Sequence, residues 1–562
     1  MLKISIVSII VFLVFNIEGK TQGLNDLVIS EIMADPTPSN GLPEFEYLEI
    51  YNRSSNSIRL KNWKLVIGTR YSTLPDSVIL PNTYLILCAK ANISHFTPFG
   101  QVGALSSLIL PNEGASVSIL SSQNKLIYHF EYKATFWPSS KRNGGFALEM
   151  IDFKNPCGDK RNWSVSLDKS GGTPGSKNSV EGSNPDFQPP SVINLEMVSN
   201  ASIIIQFDEK IDSISAVNLA NVNIAGRKVT KVSLLVPELT KLFLQLDLDL
   251  IPNETYALRF TSISDCQSNL KRNIQMDFGL PVQADSGSVV LNEILFNPKE
   301  GGVDFIELFN RSNHYLSLSN WSIGNLKNGG YSNLKMVTHS NVILNPNSYI
   351  FLSTDGYIVQ NQYPSDKSRF FVDIPAMPSF PNEEGSVVIL NKEGHLLDQL
   401  QYSEKMHHPF IHDVKGVSLE RRSAEMVTDA PQNWQSGSGI SGYASPGLKN
   451  SQSTNIDNED TISLEVTGIS PNGDGIDDVL NIYLSFSKAG NTADMDVYAI
   501  NGRHIKSLSK NLVIGTSDNL KWDGTDSKGE IVTNGYYLIV SKIWNADGYL
   551  EIFKNKVVVA HH

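Results

Sequence analysis

Cysteine is nearly absent from these 562 residues: Cys88, Cys157 and Cys266 are the full set, and no two stand at a zinc-type spacing. That excludes a disulfide-stapled fold and a cysteine-built zinc module. Cys88 and Cys157 fall in the same part of the chain and are candidates for one bridge, with a buried, unpaired Cys88 as the alternative favoured here. Positive charge is also short. Lys and Arg number 46 against 58 Asp and Glu, giving a net charge of -12, which argues against broad phosphate-backbone binding and leaves no strong nucleic-acid signal. Long apolar runs are missing except for Ile4–Phe15, which follows Met1-Leu-Lys3. A bilayer span takes roughly 20 residues, so this stretch is expected to be an export signal over residues 1–23, with no transmembrane segment left after its removal. No Cys follows it, so a lipid anchor is not expected. Gly-x-Ser-x-Gly, a phosphate loop and His-Glu-x-x-His are all absent. No enzyme is expected, and no catalytic or cofactor-binding residue is assigned.

What the chain does have is a duplication. Phe45-Glu-Tyr-Leu-Glu-Ile-Tyr-Asn-Arg-Ser54 returns as Asp304-Phe-Ile-Glu-Leu-Phe-Asn-Arg-Ser312, and the neighbours return with it. Ser30-Glu31-Ile32 and Asn292-Glu293-Ile294 lie upstream, followed by Asp35-Pro36 and Asn297-Pro298. Downstream come Leu60-Lys-Asn-Trp63 and Leu318-Ser-Asn-Trp321, then Pro81-Asn-Thr-Tyr84 and Pro346-Asn-Ser-Tyr349, then Leu148-Glu149 and Leu419-Glu420, and at last Thr173-Pro-Gly and Ser445-Pro-Gly. Matches in one order across so long a stretch mean a duplicated domain.

Alternating apolar residues in short runs, cut by Pro, Asn and Gly, predict an all-β chain of the β-sandwich or barrel type. In the repeated strand Leu48 and Ile50 share one face, as do Ile306 and Leu308; the other face carries Tyr47-Glu49-Tyr51 or Phe305-Glu307-Phe309. If that face is covered, the glutamate needs a partner, and Arg53 and Arg311 in the following turn are the nearest candidates. The apolar phase slips before Trp63 and Trp321, so a bulge or kink is expected at Asn62 and Asn320, with both tryptophans in the core.

These motifs resemble the lamin tail domain, an immunoglobulin-like β-sandwich also found in exported bacterial proteins, over residues 24–180 and 286–452. The resemblance implies a fold class of tandem immunoglobulin-like β-sandwiches and structural roles for Glu31, Glu49, Arg53, Trp63, Glu293, Glu307, Arg311 and Trp321. It says little about activity, since the family occurs in surface, nuclease-bearing and nuclear-lamina settings.

Between the copies, residues 191–281 alternate in Ser202-Ile-Ile-Ile-Gln-Phe207 and Lys241-Leu-Phe-Leu-Gln-Leu246 and resemble immunoglobulin-like spacers of bacterial surface proteins. Residues 461–562 carry Ser470-Pro-Asn-Gly-Asp-Gly-Ile-Asp-Asp478, Val497-Tyr-Ala-Ile-Asn-Gly-Arg503 and a Trp522-Asp-Gly to Tyr-Leu538 segment. Together these are similar to the hook-capping-like C-terminal sorting domain of type IX secretion in Bacteroidetes-type bacteria. Asn501-Gly502-Arg503 departs from the Arg-Trp-Gly of the gliding-motility subtype. The resemblance implies an outer-membrane sorting machinery as partner and a secreted or cell-surface location.

Two polar groups invite metal chemistry. Asn472, Asp474, Asp477 and Asp478 have the close oxygen spacing that Ca²⁺ uses, although Ser470 and Asn481 break the EF-hand pattern and a self-bonded Asx turn is the favoured alternative. His407, His408 and His412 form the main histidine cluster, yet adjacent strand residues point to opposite faces. The expectation is a binding or adhesive surface protein with an unknown extracellular protein or polymer as ligand. The competing expectations are a nucleic-acid or polysaccharide-binding accessory protein and a hydrolase using Glu49 or Glu307.

Overall fold

The computed structural model describes residues 22–365, 369–454 and 459–561. Nearly all of the expected export signal lies outside them. Strand makes up 44% of the chain and helix 8%, which fixes the class as all-β, in tandem immunoglobulin-like sandwiches. The chain divides into two compact units, Met1–Asp186 and Phe187–His562.

In the first unit a six-stranded sheet runs in the order Trp163–Val165, Leu148–Met150, Leu27–Met33, Tyr47–Asn52, Tyr84–Ala89, Val102–Leu105. It packs on a four-stranded sheet of Leu126–Lys133, Gly114–Leu120, Lys64–Ile67 and Arg70–Thr73. Leu48, Ile50, Trp63 and Leu65 meet in the core between them, as the face assignment requires. The outer face of the large sheet is covered as well, by a smaller cluster of Met33, Leu42, Tyr47, Ile86, Cys88 and Phe96. Leu27–Met33 is therefore buried at every position. Cys88 is a free thiol inside that cluster, so the candidate bridge to Cys157 is not formed.

The phase slip is a turn rather than a bulge. Asn62 takes a left-handed φ of 63°, a region Asn tolerates, and the Trp63 N–H bonds back to the Leu60 carbonyl at 3.0 Å. Asn320 and Trp321 repeat this with a φ of 58° and a 3.2 Å bond. Both tryptophans end up buried. A bulge common to both copies lies in the first strand, where the register shifts between Ile29 and Glu31 and between Leu291 and Glu293, and other shifts occur at Leu126/Tyr128, Ile323/Asn325 and Ile389/Leu390.

The second unit holds the second copy with the same strand order: Phe371–Asp373, Tyr349–Ser353, Phe305–Asn310, Val289–Leu295, Leu419–Arg421 and Trp434–Ser436 in the large sheet. The four-stranded sheet consists of Gly330–Met336, Ser322–Lys327, Glu384–Leu390 and Leu396–Ser403. Residues before it form a four- and a three-stranded sheet, and residues after it a three- and a five-stranded sheet. These are not separate beads. Tyr315 and Ile343 of the second copy belong to the core of the preceding sandwich, and Ile440 packs on the core of the last one.

Candidate functional site

In the first copy three glutamates stand side by side across adjacent strands. Glu31 is opposite Glu49 on one side and Glu149 on the other, and all three are fully buried. They lie on the face away from the main core, under the segment Gly172–Val180. Thr173 donates its N–H to Glu31 (2.8 Å) and its hydroxyl to Glu149 (3.1 Å), and Gly175 donates its N–H to Glu49. Ser179 Oγ and the Val180 N–H both donate to Glu149, at 2.7 and 3.2 Å. From within the sheet, Ser30 Oγ donates to Glu49 (2.8 Å) and the Tyr47 hydroxyl to Glu31 (2.7 Å). Glu31 Oε2 is buried with no donor.

The second copy rebuilds this row from Glu293, Glu307 and Glu420. Ser445 caps Glu293 through its N–H and Glu420 through its hydroxyl, both at 2.9 Å, and the Gly447 N–H donates to Glu307. Ser451 Oγ and the Gln452 N–H hold Glu420, at 2.7 and 2.9 Å. Two donors have been exchanged. Asn292 takes the place of Ser30 and donates to Glu307 at 2.7 Å. Phe305 replaces Tyr47 and cannot donate, but Ser418 replaces Ala147 and supplies the lost hydroxyl to Glu293 at 2.6 Å. The hydroxyl has moved to another strand while its target has stayed.

Among the described residues no cation is hydrogen-bonded to these carboxyls, although buried Arg369 acts on Glu293 and Glu307 through space while donating to the Tyr363 carbonyl. Arg53 donates to the Asn25 carbonyl at 3.2 Å, and Arg311 to the Ala424 carbonyl at 2.7 Å and to Glu425 at 2.6 Å. The arginines proposed from sequence are therefore not the glutamates' partners, because they sit in the turn beyond the strand while the glutamates face the strap. Burial raises the carboxyls: Glu49 and Glu293 to about 8, Glu420 to about 7, and Glu31 and Glu307 well above the ordinary value. Like-charge neighbours add to the burial at Glu31, Glu293 and Glu307. Carboxyls whose oxygens accept N–H and O–H donors under a closed segment do not present a nucleophile or base to a substrate.

Residues 20–134 and 282–404 each match the family model of the lamin tail domain. This chain carries two lamin tail domains. The matches include Glu31, Glu49, Glu293 and Glu307 but stop short of Glu149, Glu420 and both straps, which the structure shows to be part of the same repeated arrangement. No curated protein matches the chain. Solved structures that align with it include the N-terminal part of the bacterial S-layer protein SbsC, at 15% identity over 29% of this chain and 40% of that one, with a TM-score of 0.16. PorZ of Porphyromonas gingivalis, described as a surface component of its type-IX secretion system, aligns at 10% identity over 88% and 75%, with a TM-score of 0.16. A DUF4876 family protein of Bacteroides thetaiotaomicron aligns at 15% identity over 27% and 57%, with a TM-score of 0.14. The chain spans 40%, 54% and 55% of the three S-layer structures it matches.

Outside the lamin tail domains, the Asn472–Asp478 loop is exposed and bonded to itself. Asp478 accepts the N–H groups of Asn472, Gly473 and Gly475, at 2.9, 2.7 and 2.7 Å, which hold its carboxyl below the ordinary range. Asp474 accepts from the Ile476 N–H, and the Asp477 carbonyl from the Ser470 N–H. A Ca²⁺ ion would have to displace these donors. His407 bonds Ser436 Oγ at 2.9 Å and His408 the Gly490 carbonyl at 3.2 Å, so the adjacent pair serves two different elements, while His412 is exposed. Burial pushes His407 down to about 4.

Proposed function

We propose that this chain is a non-enzymatic exported protein, secreted or held at the cell surface, that binds an extracellular protein or polymer. Its parts are an export signal over 1–23, lamin tail domains over 24–180 and 286–452 separated by a spacer over 191–281, and a sorting or anchoring domain over 461–562 that engages the outer-membrane secretion machinery. The observation that carries the non-enzymatic reading is the state of the repeated glutamates. The acidic residues that most invite a hydrolytic role are sealed under the straps in both copies and neutralised by burial. Support for export comes from the Met1–Phe15 pattern and from the Pro-Asn-Gly-Asp-Gly and Trp-Asp-Gly motifs of the last hundred or so residues. Among the described residues no helix is long and apolar enough to cross a membrane.

Deleting residues 461–562 and fractionating the cells tests the sorting role. The expected outcome is loss of surface and medium delivery with retention in the periplasm. Unchanged delivery would remove the C-terminal domain from the proposal.

A further inference from the structure

The two copies differ in the partners of the arginine in the Asn-Arg-Ser turn. In the second lamin tail domain Arg311 is neutralised by Glu425 at 2.6 Å and tied to the Ala424 carbonyl. The aligned positions in the first domain are Lys154 and Phe153. Arg53 therefore lacks the direct carboxylate partner that Arg311 has, although Asp26 and Asp152 lie near enough to act on its charge. Its guanidinium makes one hydrogen bond, to the Asn25 carbonyl, its backbone N–H donates to the Asp26 carbonyl, and among the described residues no ion pair with it is found. Beside it is an open cavity of about 520 Å³ lined by Tyr51, Arg53, Asn82, Phe153, Lys177 and Glu181 among others. Phe153 stacks on Tyr51 with centroids 4.3 Å apart and planes at 17°, and Tyr84 flanks Tyr51 on a third side at 4.9 Å.

The polar complement of this cavity is mixed. Lys177 and Glu181 pair at 3.3 Å, so their charges largely cancel; Asp152, whose oxygens accept the N–H groups of Lys154 and Asn184, also acts on Arg53, and Lys154 is a further cation of the lining. Asn82 Oδ1 accepts from the Tyr51 hydroxyl at 3.1 Å, which leaves its Nδ2 to donate outward. One half-buried guanidinium, aromatic rings, an amide donor and a carboxylate acceptor converge on a volume within the ordinary ligand range of about 300–1,000 Å³. A guanidinium takes a carboxylate in two parallel hydrogen bonds, aromatic rings take the apolar face of a pyranose, and Asn and Glu take hydroxyls. Carboxylates at the rim and a net charge of -12 disfavour a densely charged chain such as a nucleic acid.

We infer that the first lamin tail domain binds a singly charged, carboxylate-bearing sugar unit in the Arg53–Phe153 cavity, and that the second domain has lost this site to the Arg311–Glu425 ion pair. The inference rests on the reading of the chain as a binding protein and names the ligand class for it.

The test is saturation-transfer NMR on the purified full chain with D-glucuronic acid, D-glucose and adenosine monophosphate as probes. Glucuronic acid is expected to bind, and glucose at least about tenfold more weakly, the loss of one charge-assisted contact. Arg53→Gln should reduce glucuronic acid to the glucose level, Phe153→Ala should weaken both sugars, and Arg311→Gln should leave binding unchanged. Thermal melting of each variant separates lost binding from lost folding, and Arg53→Lys, which keeps the charge, should bind between wild type and Arg53→Gln. Equal binding of glucose and glucuronic acid, preference for the nucleotide, or no sugar binding by folded wild type would each overturn the inference. Failure here with intact surface delivery would leave the display role standing, whereas loss of delivery on removing 461–562 has no bearing on sugar binding by the purified chain.

Discussion

A glutamate in a β-strand between two aromatics is ambiguous, because the same residue serves as a catalytic acid or as a satisfied structural carboxyl. Its surroundings decide, and here they favour the neutral form. Glu49 and Glu293 titrate near 8 against an ordinary 4.5, so between these values the folded chain keeps protons that the unfolded chain releases. The folded state then binds more protons than the unfolded state, and stability falls as pH rises through that window, by up to about 1.4 kcal/mol per pH unit for each such group. Melting temperature is therefore expected to drop from pH 5 to pH 8 and to level off above it. Glu31→Gln, which mimics the protonated form, should reduce that slope and be at least as stable as wild type at pH 8. A variant destabilised equally at pH 5 and pH 8 would show that Glu31 is ionised in the fold.

The strap is the element that makes this burial tolerable. Thr173-Pro-Gly175 and Ser445-Pro-Gly447 deliver backbone N–H groups to the carboxyl row, and the glycine is needed for its conformation. Gly175 has a φ of +77°, and a Cβ there would come within 2.0 Å of the Phe99 carbonyl oxygen. Gly175→Ala should cost about 2 kcal/mol or more, from left-handed backbone strain and that clash, read as a shift of the urea midpoint. A shift no larger than that of an exposed loop substitution would mean the strap is dispensable. The repeated Thr/Ser-Pro-Gly was visible in the sequence as a late match between copies. Its role was not, because two of the three strands it contacts lie more than a hundred positions away in sequence, and alternation patterns carry no information about such pairs. The nearby arginines looked like partners only because they are close along the chain.

At the scale of the molecule, the second unit joins the later strap to the last sandwich. Ser451 and Gln452, which hold Glu420, also reach the C-terminal residues: the Ser451 carbonyl accepts the Thr516 N–H at 2.8 Å, and Gln452 Nε2 donates to the Ile514 carbonyl at 3.1 Å. The Gly490 N–H returns to Gln452 Oε1 at 3.0 Å, and the Gly439 N–H donates to the Val513 carbonyl at 2.8 Å. Removing residues 461–562 is thus expected to lower the melting temperature of the second lamin tail domain by several degrees, since about 1 kcal/mol is worth roughly 2–4 °C in a domain of 150–250 residues. Differential scanning calorimetry of the full and shortened chains measures this, and an unchanged second domain would mean that these contacts add nothing to its stability.

The sequence by itself determined the class, the duplication and the two faces of the repeated strand, because strand periodicity and turn chemistry are local and survive in one dimension. It also placed Trp63 and Trp321 in the core and located the kink before them. Only the tertiary structure decided which donors meet the glutamates, that a hydroxyl lost at Phe305 returns at Ser418, and that Arg53 faces an open cavity while Arg311 is paired. Each of these depends on which distant segments meet in space. A buried carboxyl must find a donor, but any strand or strap that reaches it will serve, and the chain alone does not say which one does.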